Sequence, residues 1–206
     1  MYCILNCVNG GSEMKTRILI ALFLTLVFLT PCFAQEDSAA QMEMVEKLAK
    51  LGEYHELLKD FVGMWTADLK MWMDPKAPPV ISKGQATFKS TFDGRYIEGE
   101  YLGEFMGAPF RGKSIIGYDN VKKEFFSIWI DNFGTGHSTS TGKYDLDTKK
   151  YYFRSEMFDP LSGQTMVMRE EAYFASKDEY FSVTYAKPKD GGEEFKNMEI
   201  KYTRVK

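Results

Sequence analysis

Apolar positions recur at helical spacing in one stretch of this chain, from Ser38 to Phe61. Met44, Val45, Leu48, Leu51, His55, Leu58 and Val62 follow one another three or four residues apart among Glu and Lys. That period predicts an amphipathic helix. Gly52 splits it into a longer first helix and a short second one, because glycine is costly inside a helix and suits its ends. Beyond Gly63 the texture changes to short aromatic and β-branched runs separated by turn chemistry, which is how strands joined by hairpins read. Strands are predicted at Met64 to Met73, Gln85 to Phe92, Tyr96 to Phe105, Phe110 to Tyr118, Glu124 to Asn132, Ser138 to Tyr144, Lys150 to Met157, Gln164 to Phe174, Glu179 to Ala186 and Phe195 to Arg204. Asp93-Gly94, Gly107-Ala108-Pro109, Asp119-Asn120, Gly134-Thr135-Gly136 and Asp190-Gly191-Gly192 supply the turns.

Strands with no helices between them cannot make parallel crossovers, so the fold class is all-β: an antiparallel up-and-down meander of about ten strands. A sheet that long closes into a barrel or splits into a sandwich. The segment from Asp74 to Lys83, with Pro75, Pro78 and Pro79, is the one conspicuous loop and belongs at a rim.

Strand Glu124 to Asn132 does not alternate cleanly. Its even positions, Phe126, Ile128 and Ile130, are apolar, whereas Phe125, Ser127, Trp129 and Asp131 mix aromatics with polar groups. Either the mixed face lines a cavity, or the outside is covered and the N-terminal helix is the cover. In the first case Trp129 lines an internal pocket, and Asp131 enters with it and needs water, Arg95 or a ligand beside it.

The N-terminus changes the compartment. Lys15 and Arg17 precede an apolar run from Ile18 to Leu29, then Pro31, Cys32, Phe33 and Ala34, the order of a secretory signal peptide with cleavage near Ala34/Gln35. The run is too short for a membrane-spanning helix, which needs about 20 apolar residues. Met14 begins this signal by itself, so translation from Met1 or from Met14 both fit. The expected organisation is an upstream extension and signal peptide over 1–34, a helical segment over 35–62 and the barrel over 63–206, exported to the periplasm or secreted. Cys3, Cys7 and Cys32 all precede the cut, so the mature domain holds no disulfide and no thiol. Two of the 26 basic and one of the 29 acidic side chains also fall before it, leaving 24 against 28. With the signs interspersed there is no basic face for nucleic acid and no polybasic membrane patch.

Gly63-Met64-Trp65, opening the first strand after a helical turn, is similar to the start of the lipocalins and the wider calycin group of ligand-binding barrels. More specifically the chain resembles the bacterial domain of unknown function 1579. The matching residues are His55-x-x-Leu58-x-x-Phe61-x-Gly63-x-Trp65, Gly94-Arg95-Tyr96, Gly107-x-Pro109-Phe110-x-Gly112, Gly117-Tyr118-Asp119, Trp129-Ile130-Asp131 before Gly134-Thr135, Gly142-x-Tyr144-Asp145, and Met198-Glu199-Ile200 before Tyr202-Thr203-Arg204. The resemblance implies a closed or nearly closed barrel and no particular activity. It also implies that first and last strands are neighbours, so that Arg204 packs over the ring of Trp65 inside one end. Arg95, Tyr118 and Asp131 are placed near the interior lining by this family pattern.

Chemical motifs are sparse. Gly107-Ala108-Pro109-Phe110-Arg111-Gly112-Lys113-Ser114 has phosphate-loop spacing, but a strand and not a helix follows it, so it reads as turn chemistry. His55 and His137 with no mature cysteine do not make a zinc site, which usually takes three protein ligands, and no metal site is assigned. His55, on an apolar helical stripe, reads as a hydrogen-bonded structural residue near the barrel base. His137 approaches Asp131 if the intervening loop has five residues, pairs with Asn132 if it has four, and reads first as an exposed rim histidine at the hairpin tip. Glu170 and Glu171 are strand neighbours pointing to opposite faces and cannot form an acid/base pair. Met166 and Met168, with Trp65, Phe88, Tyr101, Phe110, Trp129 and Tyr152, supply a soft lining if they share the interior.

The leading expectation is an exported barrel that binds a small apolar or amphipathic molecule at Trp65, Arg95, Tyr118, Trp129, Asp131 and His137, with no catalytic residue assigned and its ligand or cofactor unknown. The alternatives are an enzyme using Asp131 and His137 for acid/base work, and an interaction module with a solid barrel and an exposed strand face that forms a homodimer.

Overall fold

The computed structural model describes residues 32–159 and 162–206, with side chains from Ser38 onward. The leader from Lys15 to Leu29 lies outside the described residues. The chain divides into two compact units at Lys50 and Leu51. The first contains helix α1 (Cys32–Ala49), whose side chains from Ser38 onward are exposed. No helix among the described residues is long and apolar enough to cross a membrane.

The second unit opens with the short helix α2 (Glu53–Leu58) and a 3-10 turn (Lys59–Phe61), then ten strands: β1 (Gly63–Met71), β2 (Val80–Thr91), β3 (Tyr96–Phe105), β4 (Ala108–Asp119), β5 (Glu124–Asp131), β6 (Ser138–Asp145), β7 (Lys150–Asp159), β8 (Gln164–Ser176), β9 (Glu179–Pro188) and β10 (Phe195–Arg204). Every strand pairs antiparallel with its sequence neighbour, and β1 pairs with β10, so the meander closes into a barrel. All ten predicted strands are present. The largest boundary difference is at β2, which begins at Val80 and not Gln85. Lys83-Gly84 resembles a turn in sequence but stays in the ladder, paired with Asp68 and Ala67 of β1.

Up-and-down topology gives the barrel two unlike ends. Odd-numbered strands start, and even-numbered strands finish, at the end occupied by α2; there Leu58 (0% exposed) and Phe61 join Trp65, Phe88, Ile97, Phe125, Tyr151, Tyr180 and Tyr202 in one buried cluster. This is the closed end. The other end is formed by the loops after the odd-numbered strands and is called the open end.

The closed end explains the Gly-x-Trp sequence. Trp65 (1% exposed) donates its indole N–H to Phe61 O at 2.8 Å. Its register partner is Arg204, whose guanidinium carbon lies 4.0 Å from the indole ring centroid. Such a contact is worth about 0.5–2 kcal/mol depending on desolvation. Arg204 also donates to the carbonyls of Val62, Asp60 and Lys177. Gly63 sits at φ +136°, and a Cβ there would lie 2.6 Å from the Arg204 Nη1. Position 63 is therefore glycine because the arginine crosses it.

Candidate functional site

Strand parity and register decide what faces the interior. Trp65 on β1, Phe88 on β2, Ile97 on β3, Phe125 on β5, Tyr151 and Phe153 on β7 and Ala172 on β8 are buried. Residues at two-residue steps from each share the inner face. By this rule the mixed face of β5, with Phe125, Ser127, Trp129 and Asp131, points inward. The apolar even positions point outward, with Ile128 36% and Ile130 48% exposed. The disagreement between the two faces thus resolves in favour of an inward Trp129. Tyr152, by contrast, faces outward on β7, with its hydroxyl 3.5 Å from Thr148 Oγ1.

The half of the interior toward the open end is lined by methionine and aromatic side chains. Met71 pairs with Met198 across β1 and β10, and Met157 pairs with Met166 across β7 and β8. Met168, one inward step deeper, packs with Met166, Ala186 and Phe195. Across the barrel, Trp129 meets Tyr101 edge-on at 4.8 Å and stacks with Phe110 at 6.1 Å, while Phe110 and Phe105 contact Phe133 at the rim. Met157 remains 44% exposed although it faces inward, and Trp129, Phe105, Met71 and Met198 are only half-buried. The open half is therefore reached by solvent.

Between the two halves lies a polar layer. Glu170 points inward from β8 and its Oε1 accepts a hydrogen bond from Ser182 Oγ at 2.6 Å. Thr184, its register partner, is buried beside it. Burial pushes the Glu170 carboxyl above the ordinary carboxylate range, against the opposing effect of the Ser182 bond. Its charge is felt by Tyr101, Tyr180 and Tyr202; burial raises the Tyr101 phenol to about 12 and the other two well above their usual value. Glu170 and Tyr101 are enclosed by protein at this depth, yet both keep surface that a water molecule can touch. Ser114 Oγ is buried close to the Tyr101 hydroxyl and makes no hydrogen bond of normal geometry.

The six residues singled out from sequence separate into two groups. Trp65, Arg95 and Tyr118 lie at the closed end. Tyr118 stacks on Tyr54 at 4.6 Å and meets His55 edge-on at 5.6 Å. Arg95 donates to Phe92 O at 3.1 Å, and its charge helps lower the His55 pKa, although burial is the main cause of that lowering. His55 Nδ1 accepts the Gly52 N–H at 3.1 Å and the ring also bonds the Tyr118 backbone, the structural role expected of it.

Trp129, Asp131 and His137 lie at the open end. Arg95 and Tyr118 therefore do not accompany Asp131: Arg95 precedes an odd strand and Tyr118 ends an even one, whereas Asp131 ends an odd strand. Six residues of β5 separate Asp131 from Phe125, the register partner of Tyr118, which is roughly 20 Å. The carboxylate of Asp131 is instead satisfied locally, by Trp129 Nε1 at 2.7 Å and the Phe133 amide at 2.9 Å.

The alternative that paired Asp131 with His137 is not the arrangement adopted. Trp129 pairs with Ser138 at the end of the β5–β6 ladder, so His137 lies beyond the paired residues and the ladder does not bring it opposite Asp131. Neither loop length considered from sequence is the one adopted, and His137 is exposed. Glu170 is the site residue that sequence reasoning passed over. The signal was available: Met166, Met168 and Glu170 have the same parity on β8.

Over residues 50–204 the chain matches the family described as Protein of unknown function (DUF1579). It belongs to that family. No curated protein matches the chain. Among solved structures it is similar to the S-type phycobiliprotein lyase CPES from Guillardia theta, with a TM-score of 0.51 and 11% identity over 74% of this chain and 93% of that one. At that identity the likeness concerns the fold, and it agrees with a calycin-like barrel. Among the described residues no group of three or more His, Cys, Asp or Glu is placed to hold a metal ion.

Proposed function

We propose that this DUF1579 protein is exported and uses the open half of its barrel to hold a small apolar or amphipathic molecule, without chemistry of its own. One observation carries the reading: inward-facing methionines and aromatics that remain open to solvent above a buried polar layer. Ligand sites are concave, mostly apolar and carry a few placed polar groups. Unbranched methionine adapts to different apolar shapes. The closed half does not compete for the role, because its aromatic cluster is filled. Acid/base work by Asp131 and His137 is disfavoured because the Asp131 carboxylate is held by Trp129 and Phe133 and His137 lies exposed beyond the β5–β6 ladder.

Native mass spectrometry of the mature protein from its own host tests both parts. The chain should begin at or near Gln35 and carry a retained small molecule, and apolar probes should change the fluorescence of wild type but not of Trp129→Phe. A mature chain beginning at a lipid-modified Cys32 contradicts the cleavage site, and no binding of any probe contradicts the pocket.

A second reading rests on the outer wall. Ile115 pairs with Ile128 beside Ile130, forming the floor of an outward groove of about 320 Å³ edged by Lys89, Glu98, Glu100 and Lys113. An apolar strip of this kind favours the interaction class. Sedimentation distinguishes it: a dimer lost in Ile128→Asp supports this reading, and a monomer opposes it.

A further inference from the structure

The binding reading leaves the ligand's polar end unspecified, and the charges inside the barrel specify it. Taking the inward-facing positions of the ten strands by parity, the open half holds the carboxyl groups of Asp131, Asp159 and Glu170. Among the described residues it holds no inward-facing lysine, arginine or histidine. The strand cations are elsewhere. Lys113 pairs with Glu100 on the outer wall, Arg169 pairs with Glu171 and Glu194, Lys196 lies over Trp72, and Arg204 is committed to the closed end.

The two carboxylates at the mouth are occupied. Asp131 holds Trp129 and Phe133, and Asp159 holds Ser162 through its hydroxyl and amide. Glu170 differs: its Oε1 has the Ser182 hydroxyl, and its surroundings are tyrosine, serine and threonine hydroxyls with no cation. Independently, Ser114 is 5% exposed and faces inward from β4 toward the same layer, its buried Oγ beside the Tyr101 hydroxyl but without a hydrogen bond of normal geometry.

We propose that the molecule held in the open half carries a basic nitrogen, its protonated group received by Glu170 and the neighbouring hydroxyls and its apolar body lying among Met166, Met168 and Trp129. This rests on the binding reading above. An ammonium group has three donors and no acceptor, and hydroxyl and carboxylate oxygens are the acceptors it needs. The reverse ligand, a fatty acid or other anion, meets carboxylates with no compensating cation and would be desolvated at a cost.

Three probes of one chain length test this: octylamine, octanol and octanoate, titrated against the full mature protein at neutral pH and read by Trp129 fluorescence and native mass spectrometry. Octylamine should bind at least about tenfold more tightly than octanoate, with octanol between them. Glu170→Gln should bring the amine down to the level of octanol while leaving octanol binding within about twofold of wild type. Ser114→Ala should reduce the amine preference without removing it, and it keeps the test open if the Gln variant folds poorly. Octanoate binding as tightly as octylamine, or an amine preference unchanged in Glu170→Gln, overturns the inference while the pocket stands. Failure of all three to bind overturns the inference and the pocket together.

Discussion

The two halves of this barrel are built from the same strands, yet they treat their polar groups and their volume differently. At the closed end the polar tips that frame the aromatic cluster have fixed partners: Trp65 with Phe61 O, Tyr151 hydroxyl with Leu57 O, Arg204 with three carbonyls, His55 with Gly52 and Tyr118; the Thr91 hydroxyl at the end of β2 is the exception, buried without a partner. Rings touch rings throughout, as in Phe61 against Phe88, Tyr151, Phe174 and Tyr180. At the open end flexible methionines face a smaller set of half-buried rings around Trp129, and Glu170 lies deep in the protein without a cation. A filled half fixes the barrel's shape, which leaves the other half free to hold the proposed ligand. The difference teaches that similarity of inner-face composition does not decide function, because accessibility and unpaired polarity separate lining from core.

The largest effect expected from this comparison is on stability. Phe61→Ala removes the plug ring and should cost about 3–5 kcal/mol in denaturant unfolding. Trp129→Phe at the open end should cost less than about 1.5 kcal/mol, since its ring has solvent on one side. Equal costs at the two positions would mean that both halves are solid.

A smaller effect follows from Glu170. Its folded pKa is raised by burial above the ordinary 4.5, so the stability contributed by its neutral form is full below that value and is lost as pH rises through the folded value. Glu170→Gln stays neutral at every pH. The variant should therefore gain on wild type in melting temperature as pH rises above the ordinary carboxyl value, in the absence of ligand. His55, with a lowered pKa, contributes stability that is lost as pH falls, but it does so in both proteins and cancels in the difference. A melting difference that stays constant with pH would place Glu170 in contact with bulk water and remove the polar layer from the account.

Much of the architecture was legible in the chain because its signals are local. Turn residues and two-residue alternation marked all ten strands, and the Gly-x-Trp opening matched the Arg204 contact once first and last strands were taken as neighbours. The mixed face of β5 pointed to an inward Trp129. The site was less legible, since it depends on which end of the barrel each residue reaches. Arg95 and Asp131 are both near turns, and only strand counting separates them by the length of the barrel. Whether His137 meets Asp131 stayed open in the sequence, because it turns on the β5–β6 register, which a change of one loop residue reverses. Glu170 was judged against Glu171 alone, so its inward neighbours Met166 and Met168 did not enter the comparison.

The most direct test of a hollow, apolar open half needs no knowledge of the ligand. Xenon enters dry apolar cavities, and methyl-labelled methionines report its presence by NMR. The account predicts that xenon pressure shifts the methyl signals of Met166 and Met168, and of Met71, Met157 and Met198 nearer the mouth, while Met64, Met73 and Met106, exposed at the surface, stay in place. An unresponsive set of inner methionines, or a response confined to the surface ones, would contradict it.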